Sequence, residues 1–413
     1  MIFNRLAITF LFTILVGWAQ SQNLNCNGTG YLSERFEKVK VSKDQLYGSN
    51  TTYSGLNKNL FMDIYEPEGD GPDKRPLVIV AFGGAFITGE RDTLDAMCRL
   101  YAKRGFVAVT IDYRLYDDGI FDPILSDSIF TDASIKAMGD MKAAIRFLKQ
   151  DAATINLYKI DTNQVFIGGF SSGAITANLV AYLDSSDIND EGINVAILAN
   201  GGIAGNSSSN FQYSCSVAGV LSFSGAVLDT SVIDANEPPL FMVHDDQDPT
   251  VPFESGFSKV FGIPIIALEG SGLMAKRANN IGLHNSLITI ENSDVHVSYV
   301  QDGETQWKDS VINASAKFLN KIICPYFVEN VRGIDPLNIV SMYPNPNNGV
   351  VNLDFGDIAV KSVRLYTVDG RIIFKDEHVN SSKYKFHFDG NTGLYFIEIS
   401  DEGRRKYFQI IKK

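Results

Sequence analysis

The chain has 413 residues, with 48 acidic and 36 basic side chains and a formal net charge of -12 at neutral pH. Such a balance repels phosphate backbones and anionic lipid, which disfavours nucleic acid and membrane surfaces as partners. Apolar residues make up 45% and charged residues 20%, so the chain can bury a sizeable core without a disulfide scaffold. Its length suits one large domain plus a smaller module.

The first residues read as an export signal. Arg5 supplies a positive charge, an apolar run extends from Leu6 to Trp18, and Ala19 and Ser21 give the small-residue spacing of a cleavage site before Gln22. The run is short for the roughly 30 Å hydrocarbon core of a bilayer, so a cleaved signal peptide over 1–21 is expected in preference to a membrane anchor. No later segment is long and apolar enough to span. An exported chain meets an oxidising compartment, where its four cysteines, Cys26, Cys98, Cys215 and Cys324, are free to pair. Sequence alone leaves the pairing open, and the spacing does not suit a metal site.

From there to residue 325 strands and helices alternate. Asn59 to Tyr65 reads as an early strand. Pro76 to Phe82 (PLVIVAF) is a continuous apolar run, the mark of a strand buried on both faces. Residues 91 to 104 show helical spacing and end at Gly105. Phe106 to Asp112 is a further buried strand, and 132 to 151 a helix with Ala137, Met141, Ala144, Ile145 and Leu148 on one face. Gln164 to Phe170 is the next strand and Ala174 to Leu183 the next helix; Val217 to Ser222, Pro239 to His244 and Leu287 to Glu291 continue the series, with a last helix near Thr305 to Ile322. This repetition predicts an α/β fold: a doubly wound, mainly parallel sheet with helices on both faces, over 22–325. Residues 326–340 read as a linker. Tyr343 to Gly349 (YPNPNNG) is turn chemistry, and 341–413 otherwise holds short alternating runs with a hairpin signal at Asp369-Gly370. A small all-β sandwich is expected there.

The sharpest chemical signal is Gly169-Phe170-Ser171-Ser172-Gly173, lying between a predicted buried strand and a predicted helix. That context suits a nucleophile elbow, in which the glycines avoid a clash of Cβ with neighbouring backbone and the helix N-terminus favours developing negative charge. Ser171 is the candidate nucleophile. Ser172 lacks the flanking glycine pair; its backbone N–H is a candidate oxyanion donor. A serine needs a base, and on such an elbow the acid and then the histidine follow the serine along the chain. Five histidines compete: His244, His284, His296, His378 and His387. His296 follows the strand Leu287 to Glu291, where a loop can lower the imidazole onto the serine, so it is the candidate base, with His284 the lesser alternative. Among Asp245, Asp246 and Asp248, the last is far enough past its strand to turn back towards His296 and is the candidate acid; the other two read as a solvated acidic loop. Gly83-Gly84-Ala85 follows the strand that should supply the remaining oxyanion donors, which are assigned to Gly84 and Ala85 beside Ser172. Tyr116 to Phe130 is long for a loop and is a candidate pocket wall.

These residues together resemble the carboxylesterase and carbohydrate-esterase side of the α/β-hydrolase superfamily over roughly residues 30 to 322. Phe82-Gly83-Gly84-Ala85 is similar to that family's His-Gly-Gly motif with Phe in place of His, Asp112-Tyr113-Arg114-Leu115 to its Tyr-Arg stretch, and His244 to Pro252 to its His-Gly-Thr-x-Asp-x-x-Val-Pro, with Asp245 and Asp246 where Gly and Thr stand. The resemblance implies a serine esterase working through an acyl-enzyme, with no metal or organic cofactor and with a small-molecule or polysaccharide ester as substrate. A serine peptidase of the same fold and a non-catalytic adhesion protein are the other readings. The C-terminal segment resembles the type A sorting domain of the type IX secretion system, on Tyr343-Pro344-Asn345-Pro346, Asp369-Gly370-Arg371, Gly393-Leu394-Tyr395 and the basic end Arg404, Arg405, Lys406, Lys412 and Lys413. It implies the type IX machinery as partner, a bacterium of the Bacteroidetes type, passage across the outer membrane and removal of the domain; the alternative is a carbohydrate-binding or adhesion sandwich.

Overall fold

The computed structural model describes residue 26 and residues 30–69, 74–118, 126–188, 191–300, 305–324, 341–355, 360, 362–379, 381–400 and 405–413. The expected signal peptide and linker lie outside them. The chain divides into two compact units, Met1–Pro325 and Tyr326–Lys413.

In the first unit the elements run β1 (Val39–Thr51), β2 (Asn57–Pro67), β3 (Arg75–Ala81), α1 (Asp95–Lys103), β4 (Val107–Ile111), α2 (Asp127–Ala153), β5 (Ile160–Phe170) and α3 (Ser172–Tyr182). They continue with α4 (Glu191–Ala199), β6 (Gly219–Phe223), β7 (Ala226–Val227), β8 (Leu240–Asp245), β9 (Ser255–Val260), β10 (Ile263–Gly270), α5 (Ser271–Ile281), β11 (Asn285–Ile290) and α6 (Thr305–Ile323). Eight strands form one sheet in the order β1-β2-β4-β3-β5-β6-β8-β11. The six from β4 to β11 are parallel, and β1 and β2 are antiparallel additions at one edge. Every residue of β3, β4, β6 and β8 is buried, as parallel strands covered on both faces require. The chain passes from β3 to β4 on one side and then to β5 on the other, so a crevice opens at the C-terminal ends of β3 and β5, the usual ligand position in such sheets.

Most boundaries fall within two or three residues of the sequence reading. β5 begins four residues earlier than expected, at Ile160, and two helices also differ at their starts. The helix expected from 132 begins at Asp127, because Ser126 caps it: the Ile129 N–H donates to the Ser126 hydroxyl at 3.3 Å. The reading of Tyr116 to Phe130 as one loop is thereby corrected at its end; residues 119–125 lie outside the described residues. The helix expected from 91 opens as a tight turn over Arg91–Leu94 and becomes α-helical at Asp95.

In the second unit, β12 (Ser341–Tyr343), β13 (Val350–Asp354) and β16 (Lys383–His387) form one antiparallel sheet, in the order β12-β13-β16. β14 (Ser362–Thr367), β15 (Ile372–Asp376), β17 (Gly393–Ser400) and β18 (Arg405–Lys412) form another, in the order β15-β14-β17-β18. Val351, Leu353, Val363, Leu365, Ile397 and Ile399 share a buried core. The proline-asparagine turn has a mechanical role here. The Asn345 side chain donates to the Gln409 carbonyl and accepts the Ile411 N–H, both at 2.9 Å, as a neighbouring strand would.

Among the described residues no helix is long and apolar enough to cross a membrane. Cys26 and Cys324 form a disulfide across 298 residues of sequence, while Cys98 and Cys215 are free. A bridge closing so long a loop restricts the unfolded chain. Replacing Cys26 and Cys324 together by Ser is expected to lower stability by about 2–5 kcal/mol, read from urea unfolding without reductant; an unchanged midpoint contradicts it.

Candidate active site

The elbow is built by close approach of backbone. A Cβ on Gly169 would lie 2.6 Å from the Ala81 carbonyl oxygen, and one on Gly173 would lie 2.3 Å from that oxygen and 2.5 Å from that of Phe82. Only glycine fits at either position. The turn between them places Ser171 at φ 54°, ψ -120°, a left-handed conformation that a serine holds only under constraint. Its N–H donates to the Phe223 carbonyl at 2.9 Å. Ser172 is the first residue of α3, where an N–H has no acceptor within the helix.

Three of the sequence-derived side chains meet in one hydrogen-bonded line. The Ser171 Oγ lies 2.9 Å from His296 Nε2, and His296 Nδ1 lies 2.6 Å from Asp248 Oδ2. A carboxylate can only accept, so the proton between them sits on Nδ1, which leaves Nε2 free to accept from the serine hydroxyl. Asp248 has no exposed side-chain surface. Its Oδ1 accepts the N–H groups of Thr250 at 2.8 Å and Val251 at 3.0 Å.

His244 is a participant that the sequence reading set aside. It is fully buried, with Nε2 3.1 Å from the Val251 carbonyl oxygen and 3.3 Å from Asp248 Oδ2, and Nδ1 2.8 Å from the Ser271 hydroxyl. Its Nε2 therefore approaches the same Asp248 oxygen that His296 contacts. Its position at the end of β8, four residues before Asp248, was the available signal. His284 stacks on Phe318 with ring centroids 5.2 Å apart, and burial pulls its pKa down. His378 and His387 belong to the second unit.

The loop after β3 abuts the serine. A Cβ on Gly83 would lie 3.1 Å from that of Ser171, and one on Gly84 would collide with the Thr88 carbonyl. Gly84 has φ +137° and Ala85 φ +55°, and the Gly84 carbonyl accepts the N–H groups of Ile87 and Thr88. Phe82, standing where the resembled motif has His, stacks on Tyr113 with centroids 4.4 Å apart. The Tyr113 hydroxyl donates to the Phe82 carbonyl at 2.8 Å and lies 3.2 Å from Ser172 Oγ. Arg114 is buried against Asp140 at 2.8 Å, joining the segment after β4 to α2.

A cavity of about 20 Å³ opens beside the serine. Ala85, Ser171 and Ser172 line it together with Phe130, Ile175, Thr250, Val251, Ser258, Lys259 and Val260; Gly84 is not in that lining. The β9–β10 hairpin that supplies Ser258 and Val260 escaped the sequence reading. Its signal was the turn Phe261-Gly262, both with φ above +50°, the geometry a two-residue hairpin demands. The hairpin is tied to the acid loop by the Lys259 N–H, which donates to the Thr250 carbonyl at 2.8 Å. Asp245 and Asp246 are not the solvated pair the sequence suggested: Asp245 is fully buried and Asp246 half-buried.

Residues 62–229 match the BD-FAE family model, and residues 341–413 match that of the secretion system C-terminal sorting domain. A probable isoprenylcysteine alpha-carbonyl methylesterase of Oryza sativa subsp. japonica is 30% identical over 115 residues, 27% of this chain. The match spans only 23% of that relative's length. Among solved structures, a propionate-bound esterase of Thermogutta terrifontis is 19% identical with a TM-score of 0.48, covering 70% of this chain and 94% of its own. Esterase 2 of the same organism phosphoramylated by tabun is 18% identical with a TM-score of 0.49, covering 70% and 97%. The two family matches give the chain an esterase-like α/β-hydrolase domain and a type IX sorting domain.

Burial pushes the Asp248 carboxyl up, but hydrogen bonds from His244 and His296, the charge of His296 and the Thr250 N–H outweigh it and hold the group at about 2, below the usual 3.8. A carboxyl depressed in the folded state stabilises the fold above its unfolded pKa and loses that contribution as pH falls through the folded value. Stability is expected to drop by on the order of 2 kcal/mol between about pH 4 and pH 2 on account of Asp248. Urea unfolding of the wild type and of Asp248→Asn should differ in slope over that window; parallel curves contradict the assignment.

Proposed function

We propose that this chain, an esterase-like α/β hydrolase with a sorting tail, is an exported serine esterase that cleaves carboxylic esters of small acyl groups. Ser171 is the nucleophile, His296 the general base and acid, and Asp248 the group that orients the imidazole and balances its charge. The observation that carries the reading is the unbroken line from Ser171 Oγ through His296 to Asp248.

The steps follow from that geometry. The Ser171 oxygen bonds to the ester carbonyl carbon while His296 Nε2 takes its proton, and the carbonyl oxygen becomes an oxyanion. Ala85 and Ser172 supply N–H donors from the cavity wall, with Gly84 the third candidate donor, and the N-terminus of α3 favours the same charge. His296 then returns the proton to the leaving alcohol as its C–O bond breaks. Water, deprotonated by His296, attacks the acyl-serine, and the proton returns to Ser171 as the acid departs.

The cavity bears on which acyl groups fit. Ser171 shares this cavity with the candidate oxyanion donors Ala85 and Ser172 and with the apolar side chains of Phe130, Ile175 and Val251, a lining that suits the acyl side of the ester. The cavity is narrow, with only about 20 Å³ open to the centre of a water-sized sphere, so a short acyl group suits it better than a long one. The sorting domain indicates delivery by the type IX machinery to the outside or the cell surface; loss of residues 1–21 and of the sorting domain completes the proposed maturation.

The test is hydrolysis of p-nitrophenyl acetate, butyrate and octanoate by the full chain, with Ser171→Ala beside it. The wild type should prefer acetate, and Ser171→Ala should lose activity by on the order of 10⁴-fold or more. Esters left uncleaved by a folded wild type, or cleaved equally by Ser171→Ala, overturn the reading; a preference for octanoate overturns the acyl assignment alone.

A further inference from the structure

The residue that follows His296 is held in a conformation its side chain disfavours. Val297 has φ +57°, and a β-branched residue in the left-handed region is a true outlier. Such a conformation persists only where the surroundings over-determine it. Here the loop is moored on both sides of the strained residue. Upstream, Asp246 Oδ1 accepts the Ser293 N–H at 3.1 Å, and the Gln247 N–H donates to the Ser293 carbonyl at 3.1 Å. Downstream, the Ser298 N–H donates to Asp245 Oδ2 at 3.2 Å, and the Ser298 hydroxyl donates to Asp245 Oδ1. Asp245 ends β8 and is fully buried, so its carboxylate is a fixed point.

We propose that Asp245 is a positioning residue for His296: by gripping Ser298 with both carboxylate oxygens, it holds Val297 in the left-handed turn that keeps the imidazole on Ser171. The inference rests on the catalytic reading of Ser171, His296 and Asp248. It gives a role to a residue outside that line and relates it to the strained backbone at Val297. Without the grip, the loop relaxes at Val297 towards ordinary backbone angles, and Nε2 leaves the serine. A glycine at 297 accepts the left-handed angle without strain, so no side-chain penalty opposes the turn when the grip is gone. The grip is a matter of hydrogen-bond geometry: an amide at 245 still accepts the Ser298 N–H through its oxygen and donates to the Ser298 hydroxyl through its nitrogen.

The experiment measures kcat and KM for p-nitrophenyl acetate, with urea unfolding, on the full chain and on Asp245→Ala, Asp245→Asn and the double variant Asp245→Ala with Val297→Gly. Asp245→Ala should lose on the order of 10- to 100-fold in kcat, the usual consequence of a catalytic group displaced by about an ångström, with KM little changed. Asp245→Asn should remain close to wild type, and Val297→Gly should restore most of the kcat lost in Asp245→Ala. A role confined to stability moves the unfolding midpoint and leaves kcat alone. If Asp245→Ala does not fold, Ser298→Ala, alone and with Val297→Gly, carries the same comparison. The proposal is overturned if the folded alanine variant keeps wild-type kcat, or if Val297→Gly restores nothing. Those outcomes leave the esterase reading standing, whereas an inactive wild type or a fully active Ser171→Ala removes the reading and this inference with it.

Discussion

The carbonyl oxygens of Ala81 and Phe82, at the end of β3, occupy the space where a Cβ at 169 or 173 would lie. That approach sets the distance between the strand end carrying Gly83, Gly84 and Ala85 and the turn carrying Ser171. With the two glycines in place, α3 starts directly behind the serine, and the serine abuts the glycine loop. Any side chain at either position would force β3 and α3 apart, and the cavity wall would separate from Ser171. The Tyr113 hydroxyl, which donates to the Phe82 carbonyl and lies beside Ser172, fastens the same seam from the other side. The stacking of Phe82 on Tyr113 holds the loop without the histidine of the resembled motif.

The second constraint is the burial of charge. Asp248 has no exposed side-chain surface, and a lone carboxylate there would be costly. It is tolerated because four donors converge on it: two backbone N–H groups, His296 and His244. The same set that satisfies the carboxylate fixes which way the His296 ring faces. The orientation of the His296 ring and the satisfaction of the Asp248 carboxylate are thus one arrangement, with Ser271 and the Val251 carbonyl anchoring His244 behind it.

Much of this was legible in the sequence because it depends on local pattern. Continuous apolar runs marked the buried strands, 3.6-residue spacing marked the helices, and glycines around Ser171 marked the elbow. The placement of His296 and Asp248 could be expected from chain order, and the structure brings both to Ser171. What escaped depends on tertiary partners. β1 is a mostly polar edge strand, so it shows no alternation. The β9–β10 hairpin was missed although Phe261-Gly262 could have marked it; its place against the Asp248 loop is set by the Lys259 N–H to the Thr250 carbonyl. Asp245 and Asp246 read as solvated because nothing local reveals that Ser298 and Ser293, about fifty residues on, are their partners. His244 was set aside on chain position, which identifies a base but not a residue that supports the acid.

The central claim is that Ser171, activated by His296, attacks an electrophilic carbonyl or its analogue. Treating the full chain with a fluorophosphonate and weighing the intact protein tests it most directly, since the reagent captures only a serine whose proton has a base to go to. The account predicts one adduct per chain, located on Ser171, formed far more slowly by His296→Ala and absent from Ser171→Ala. A folded wild-type chain that takes no adduct, or takes it on Ser172 or another serine, would contradict it.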